Sequence, residues 1–333
     1  MTTVTSPTDL LATVPFLIGY QPSDSIVLMA LTDESISMAM RIDFPDSLTK
    51  SEAAGLAARI ASERADAVLM VSYIPDLFDG AEQVLEVLSA ALLAHELLLR
   101  ESIIVVAGRW RSLVCADSSC CPIEGSPLPE LTESRVAVEE IANGKPLPFP
   151  DLATMAESIA SFPNDLALIE MISRIESIDY AGDALPSQRE GAAAVTDFIH
   201  DFATDGICRD RRLVATLLVR LQDLQVRDYA LGVMNDAERE LHYVAWRWLL
   251  RRAPEGYVAA PATLFAVACY ERGDGALANL ALERARADQP NYTLTNLLSQ
   301  VFRSGQPPAL FRELRAELHP KVCATLFSGS MNS

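Results

Sequence analysis

Ser25-Ile26-Val27-Leu28-Met29-Ala30-Leu31-Thr32-Asp33-Glu34-Ser35-Ile36-Ser37-Met38-Ala39-Met40-Arg41-Ile42-Asp43 is the stretch that decides the fold class. Its first half is a nearly unbroken apolar run of strand length. Its second half alternates Ile36, Met38, Met40 and Ile42 with smaller or polar residues, the period of a half-buried strand. Thr32-Asp33-Glu34 between them is a short polar link, so the two runs form a hairpin. Downstream, Thr49 and Glu52 make a capping box that opens a helix with Ala53, Leu56, Ala57, Ile60 and Ala61 as its buried stripe. Ala67 to Ile74 is a further strand. Asp79 and Glu82 open a second helix running to about Leu99. Ile103 to Ala107 is the next strand, with Leu113 to Cys115 as its partner. The order β-β-α-β-α-β-β requires crossover connections, hence an α/β domain with a mixed, partly parallel sheet.

Pro122 to Pro150 is proline-rich, with room for a short helix at Leu131 to Asn143, and reads as the connection between domains. After Asp151 the period is helical, with stops at Pro163, Pro186, Pro254, Pro261, Pro290 and Pro307-Pro308, and no strand-like alternation. The expected organisation is an α/β domain over residues 1–148 and an all-α domain of helical hairpins over 149–333, with helices of about 10 to 18 residues.

Within 333 residues the formal net charge is −18. Such a field repels phosphate backbones and anionic lipid, so neither nucleic acid nor a membrane surface is an expected partner. No apolar run approaches the roughly 18 residues of a membrane span, and the opening Met1 to Pro7 has neither the basic nor the apolar region of an export signal. A cytoplasmic location is therefore expected, with the six cysteines reduced.

Ala266, Gly273, Asp274, Ala278, Ala285 and Pro290 are spaced as in a tetratricopeptide unit, at about 259–292. Gly273 permits a tight turn, Ala278 and Ala285 allow close helix approach, and Pro290 ends the second helix. Ala262, Cys269 and Leu282 depart from that unit, which usually carries aromatics there; an ordinary helical hairpin is the other reading. Gly273-x-Gly275-x-x-Ala278 has the shape of a dinucleotide fingerprint but follows a helical segment, and the fingerprint needs a strand there.

Cys115, Cys120 and Cys121 are the sharpest chemical feature. The spacing from Cys115 to Cys120 lets two thiolates reach one Zn²⁺. Two objections stand against a metal: no fourth ligand lies nearby, and the vicinal pair Cys120-Cys121 is poorly placed to share an ion. No cofactor is expected on that count, and Zn²⁺ and a reactive thiol remain the alternatives to small buried side chains. Asp43, Asp76 and Arg109 follow strands, at ends that border the ligand crevice of a parallel α/β sheet; turn and cap duty is the other reading. His95, His200, His242 and His319 are scattered, and neither a nucleophile elbow nor a Walker loop is present, so no catalytic residue is assigned.

Leu10 to Val27, with Pro15-Phe16-Leu17-Ile18-Gly19-Tyr20-Gln21-Pro22-Ser23-Asp24-Ser25 at its centre, resembles the opening of the actinobacterial domain of unknown function family 4192. Arg41-Ile42-Asp43, Cys120-Cys121-Pro122-Ile123-Glu124-Gly125 and Gly273-Asp274-Gly275-Ala276 resemble the same family, in order along the chain. The resemblance implies an actinobacterial cytoplasmic protein and carries over no activity or functional residue. The function expected from the helical half is a non-enzymatic protein-interaction module with a protein partner. The alternative is an enzyme or small-ligand binder using the α/β crevice.

Overall fold

The computed structural model describes residues 4–76 and 78–327. The chain divides into two compact units, Met1–Met155 and Ala156–Ser333.

The first unit opens with a helix that the periodicity did not announce, α1 (Pro7–Ile18). Ser6 caps it by accepting from the Asp9 N–H, Pro7 stands in the first turn, and Gly19 ends it at φ +88°. Strands β1 (Ser25–Thr32) and β2 (Ser35–Asp43) form the expected hairpin. Then come α2 (Lys50–Ala61), β3 (Ala67–Tyr73), α3 (Ala81–Ala94), β4 (Leu98–Val106), β5 (Arg109–Ser112) and the two-residue β6 (Ser126–Pro127). The spatial order is β2-β1-β3-β4-β5-β6, with β3 and β4 parallel and every other pair antiparallel. A mixed, partly parallel sheet is therefore correct.

β1 is continuously apolar because both its faces are covered. Ile26, Leu28 and Ala30 pack with Val68 and Met70 against α2 and α3, whereas Val27 and Met29 pack with Val71, Ile103 and Val105 against Leu10, Leu11 and Val14 of α1. β2, an edge strand, is covered less and so alternates.

Two boundaries differ from expectation. Helix α3 stops at Ala94 rather than near Leu99, because Glu96 turns the backbone to φ +60° and Leu98 and Leu99 already belong to β4. The partner of β4 is Arg109–Ser112 rather than Leu113 to Cys115. Ala107 (φ +48°) and Gly108 (φ +72°) make a two-residue hairpin turn that brings the chain back at once.

After a single 3₁₀ turn (Leu131–Glu133) come α4 (Arg135–Ala142) and α5 (Leu152–Glu157). The helical unit contains α6 (Leu166–Ser173), α7 (Leu185–Asp205), α8 (Arg211–Arg220), α9 (Leu224–Val233), α10 (Arg239–Arg252), α11 (Ala259–Arg272), α12 (Gly275–Asp288), α13 (Thr293–Ser304) and α14 (Pro308–Phe327). Among the described residues no strand follows Pro127, and no helix is long and apolar enough to cross a membrane. Pro186, Pro261 and Pro308 open helices rather than stop them: each stands in a first turn, where its missing N–H has no intrahelical acceptor to lose. Helix lengths run from 6 to 21 residues, a wider range than expected.

Candidate metal centre

Ser112, the last residue of β5, starts the cysteine loop. Its Oγ donates to Glu101 Oε1 on β4 (2.7 Å) and accepts from the N–H groups of Val114 (3.1 Å) and Cys115 (3.0 Å). Leu113 N–H still reaches the Ser102 carbonyl (2.7 Å). The first cysteine is thus anchored to the sheet through a buried hydroxyl.

Asp117 shapes the next turn. Its carboxylate accepts from Ser119 N–H (2.8 Å) and Oγ (2.7 Å), and its carbonyl accepts from Cys120 N–H (3.2 Å) and Cys121 N–H (2.7 Å). The Ser119 hydroxyl and amide hold the Asp117 carboxyl below its usual range. The loop closes at Gly125, which lies at φ +73° with an added Cβ only 2.9 Å from the Trp110 carbonyl oxygen. Arg109 locks that end, donating from Nε to the carbonyls of Glu124 (2.8 Å) and Gly125 (3.1 Å).

The result is a convergence of sulfur. The Sγ atoms of Cys115, Cys120 and Cys121 all lie within 4.8 Å of one another, and all three thiols are free. The geometric objection to the vicinal pair therefore does not hold here. On a strand, neighbouring side chains point to opposite faces; in the Asp117 turn they do not, and Cys120 and Cys121 reach the same place. Burial, then hydrogen bonding with the Cys115 thiol, pushes the Cys121 thiol up to about 11. Cys120 is exposed, so solvent reaches the cluster.

Asp43, Asp76 and Arg109 do share one end of the sheet, since Asp43 faces Ser25, Ser25 faces Tyr73, Tyr73 faces Val105, and Arg109 faces Val106. Asp43 ends β2, Asp76 follows β3 and Arg109 begins β5, each two strands from the next, or about 10 Å apart. Asp43 pairs with Arg41 at 2.5 Å, Asp76 is an exposed turn residue, and Arg109 holds the cysteine loop. The bracing roles of Glu101, Ser112 and Arg109 were not foreseen; only the Asp117-x-Ser119 turn has a local sequence signal. In the helical unit, Cys208 lines a shallow cavity with Asp165, Arg211 and Trp248, but burial pushes its thiol up to about 12 and keeps it protonated.

The family model for a domain of unknown function (DUF4192) matches residues 7–309, and the chain belongs to that family. No curated protein and no solved structure matches the chain.

Proposed function

We propose that this chain is a non-enzymatic protein-interaction module of the actinobacterial cytoplasm that binds its partner through the helical unit. The observation that carries the reading is the run α10, α11, α12 and α13, in which each helix packs on its neighbour in sequence. Gly273 at φ +87° closes the α11–α12 turn, and Ala278 and Ala285 are buried, which supports the tetratricopeptide-like reading of 259–292. Scaffolds stacked in this way present outer helix faces to other proteins. Since α11 is buried almost throughout, the exposed faces belong to its neighbours, and Val244 of α10 and Leu297 of α13 are exposed apolar residues on them. The net charge of −18 disfavours nucleic acid and anionic membrane as partners.

The test is in-cell photocrosslinking from a probe at position 297, compared with one at Glu63 in the α/β unit. Recurrent capture of one protein from position 297 alone is expected. Equal capture from both positions, or copurification of a small molecule that the protein turns over, would overturn the reading in favour of the α/β crevice.

A further inference from the structure

We infer that Cys115, Cys120 and Cys121 form a three-thiolate site for one Zn²⁺ ion, whose fourth coordination position is taken by an exchangeable ligand. Around a tetrahedral zinc with Zn–S bonds of about 2.3 Å, sulfur atoms stand about 3.8 Å apart. The three Sγ atoms lie within 4.8 Å of one another, so about 1 Å of side-chain adjustment at most brings them onto one ion. Thiols that were merely small fillers would be buried among apolar side chains. Here one is exposed and the other two are partly so.

The frame around the sulfurs is built. The Ser112 hydroxyl fixes the Cys115 amide, the Asp117 carbonyl fixes the Cys120 and Cys121 amides, and Arg109 pins the far end of the loop. With the backbone of each ligand held in this way, the loop loses little further freedom on binding. Between Leu113 and Gly125 the loop contains Asp117 and Glu124 and no basic residue, so nothing within it opposes a cation. Each thiol releases its proton to solvent as its bond to zinc forms.

The donor set also selects the metal. Three thiolates favour Zn²⁺ or Cu(I) over hard cations, and a four-thiolate iron–sulfur cluster lacks its fourth ligand. Among the described residues no histidine or carboxylate joins the cluster, which leaves one zinc position open, the arrangement of zinc sites that exchange ligands.

The experiment uses the full chain, purified under reductant, freed of metal and assayed for six free thiols. Zn²⁺ is titrated against a chromophoric chelator, and Co²⁺ reports geometry through thiolate charge-transfer and tetrahedral d–d absorption. We expect one ion per chain, sulfur-to-cobalt charge transfer, and a loss of Zn²⁺ affinity in Cys121→Ser of more than about a hundredfold, beyond what an outer-shell change causes. Cys323→Ser, outside the loop, should bind as the parent does. If Cys121→Ser does not fold, Cys120→Ser at its exposed position gives the same reading. Unchanged affinity in the folded loop variant, or an equal loss in Cys323→Ser, would overturn the site. Isolation of the protein from its native host with stoichiometric copper and no zinc would overturn the metal assignment.

Discussion

In the α/β unit the buried polar side chains are mostly hydroxyls, Thr13, Ser25, Ser72, Ser102 and Ser112, with Glu140 as the buried charge. The helical unit buries the hydroxyls of Thr263, Thr295 and Ser299 as well, but adds Arg220, Asp223, Arg227, Glu271 and Arg315, together with His242. The contrast follows from where each architecture leaves backbone groups unpaired. A sheet closes its N–H and C=O groups in the ladder, so a strand such as β1 can bury hydrocarbon on both faces. A helix leaves four donors at one end and four acceptors at the other, and any such end that is buried needs a side-chain partner. Two of the buried charges, Asp223 and Arg315, meet the two ends of α9. Asp223 caps α9 through Gln225 N–H (2.8 Å) and Val226 N–H (3.2 Å), and also accepts from Tyr180 Oη and Gln188 Nε2. At the other end of α9, Arg315 donates to the carbonyls of Leu231 and Met234 while pairing with Glu271 at 3.1 Å.

The sharpest way to break this contrast is Glu271→Ala. It strands the Arg315 guanidinium in the interior, where removing one partner of a buried pair costs about 3–5 kcal/mol. Urea unfolding followed by Trp246 and Trp248 fluorescence in a Trp110→Phe background should show that loss. The double change Glu271→Leu with Arg315→Met should be far milder, because no charge is then left behind. A loss below about 1 kcal/mol in Glu271→Ala would mean that these charges are effectively solvated, and the contrast would fail.

The sheet offers the counterpart. Leu28 is fully buried in β1, and Leu28→Ala removes hydrocarbon contacts from the α2–α3 side of the sheet. A loss of about 2–5 kcal/mol is expected, with the spread set by how far the core collapses around the cavity. The α/β unit's transition in hydrogen exchange is the measurement, since protection in β1 and β3 reports that unit alone.

The same division decides what the sequence reveals. A short apolar run announced β1, two-residue alternation announced β2, and the Thr49–Glu52 box announced α2, because each signal lies within a few residues. Helix α1 escaped because Leu10 to Ile18 is apolar but for Thr13 and contains Pro15, so it shows no clean stripe. The end of α3 was overrun because Leu97, Leu98 and Leu99 continue the apolar run after the chain has already turned at Glu96. The cysteines were legible as residue types. Their convergence was not, since it depends on the Asp117 turn and on Glu101 bracing Ser112 from another strand. Arg315 and Glu271 stand 44 residues apart, and no periodicity connects them.

A buried charge network also gives the helical unit a pH dependence. His242 is buried, and desolvation pushes its imidazole down to about 4 from an ordinary 6.5. Below about pH 6.5 the unfolded chain takes up a proton that the folded chain refuses until about pH 4, so stability falls as pH drops through that window. The loss is on the order of 3–4 kcal/mol at most, because a tenfold change in proton affinity is worth about 1.4 kcal/mol. Glu271 runs the other way: burial raises it despite Arg315, so its contribution is lost as pH rises. The useful measurement is therefore the difference between the parent and His242→Leu across pH 7 to 4. The parent should show the steeper decline, and parallel curves would mean that His242 titrates as in water.

The smallest effect belongs to the α/β unit and tests whether its signals are as local as they look. Thr49 Oγ1 accepts the Glu52 N–H (3.2 Å), while Glu52 Oε2 accepts the Thr49 N–H (2.9 Å) and hydroxyl (2.6 Å), which holds the Glu52 carboxyl below its ordinary range. Both residues are exposed, so removing the hydroxyl opens no cavity and strands no buried group. Thr49→Ala should cost about 1 kcal/mol, the ordinary worth of an N-cap, and Thr49→Ser should restore nearly all of it. The change should appear first as faster amide exchange at Glu52 and Ala53, the first-turn donors of α2, with β1 and β3 quickened only by the global loss. Equal acceleration in the helical unit would show that the first turn of α2 is coupled to distant packing. The capping box would then be more than the local signal its sequence spells.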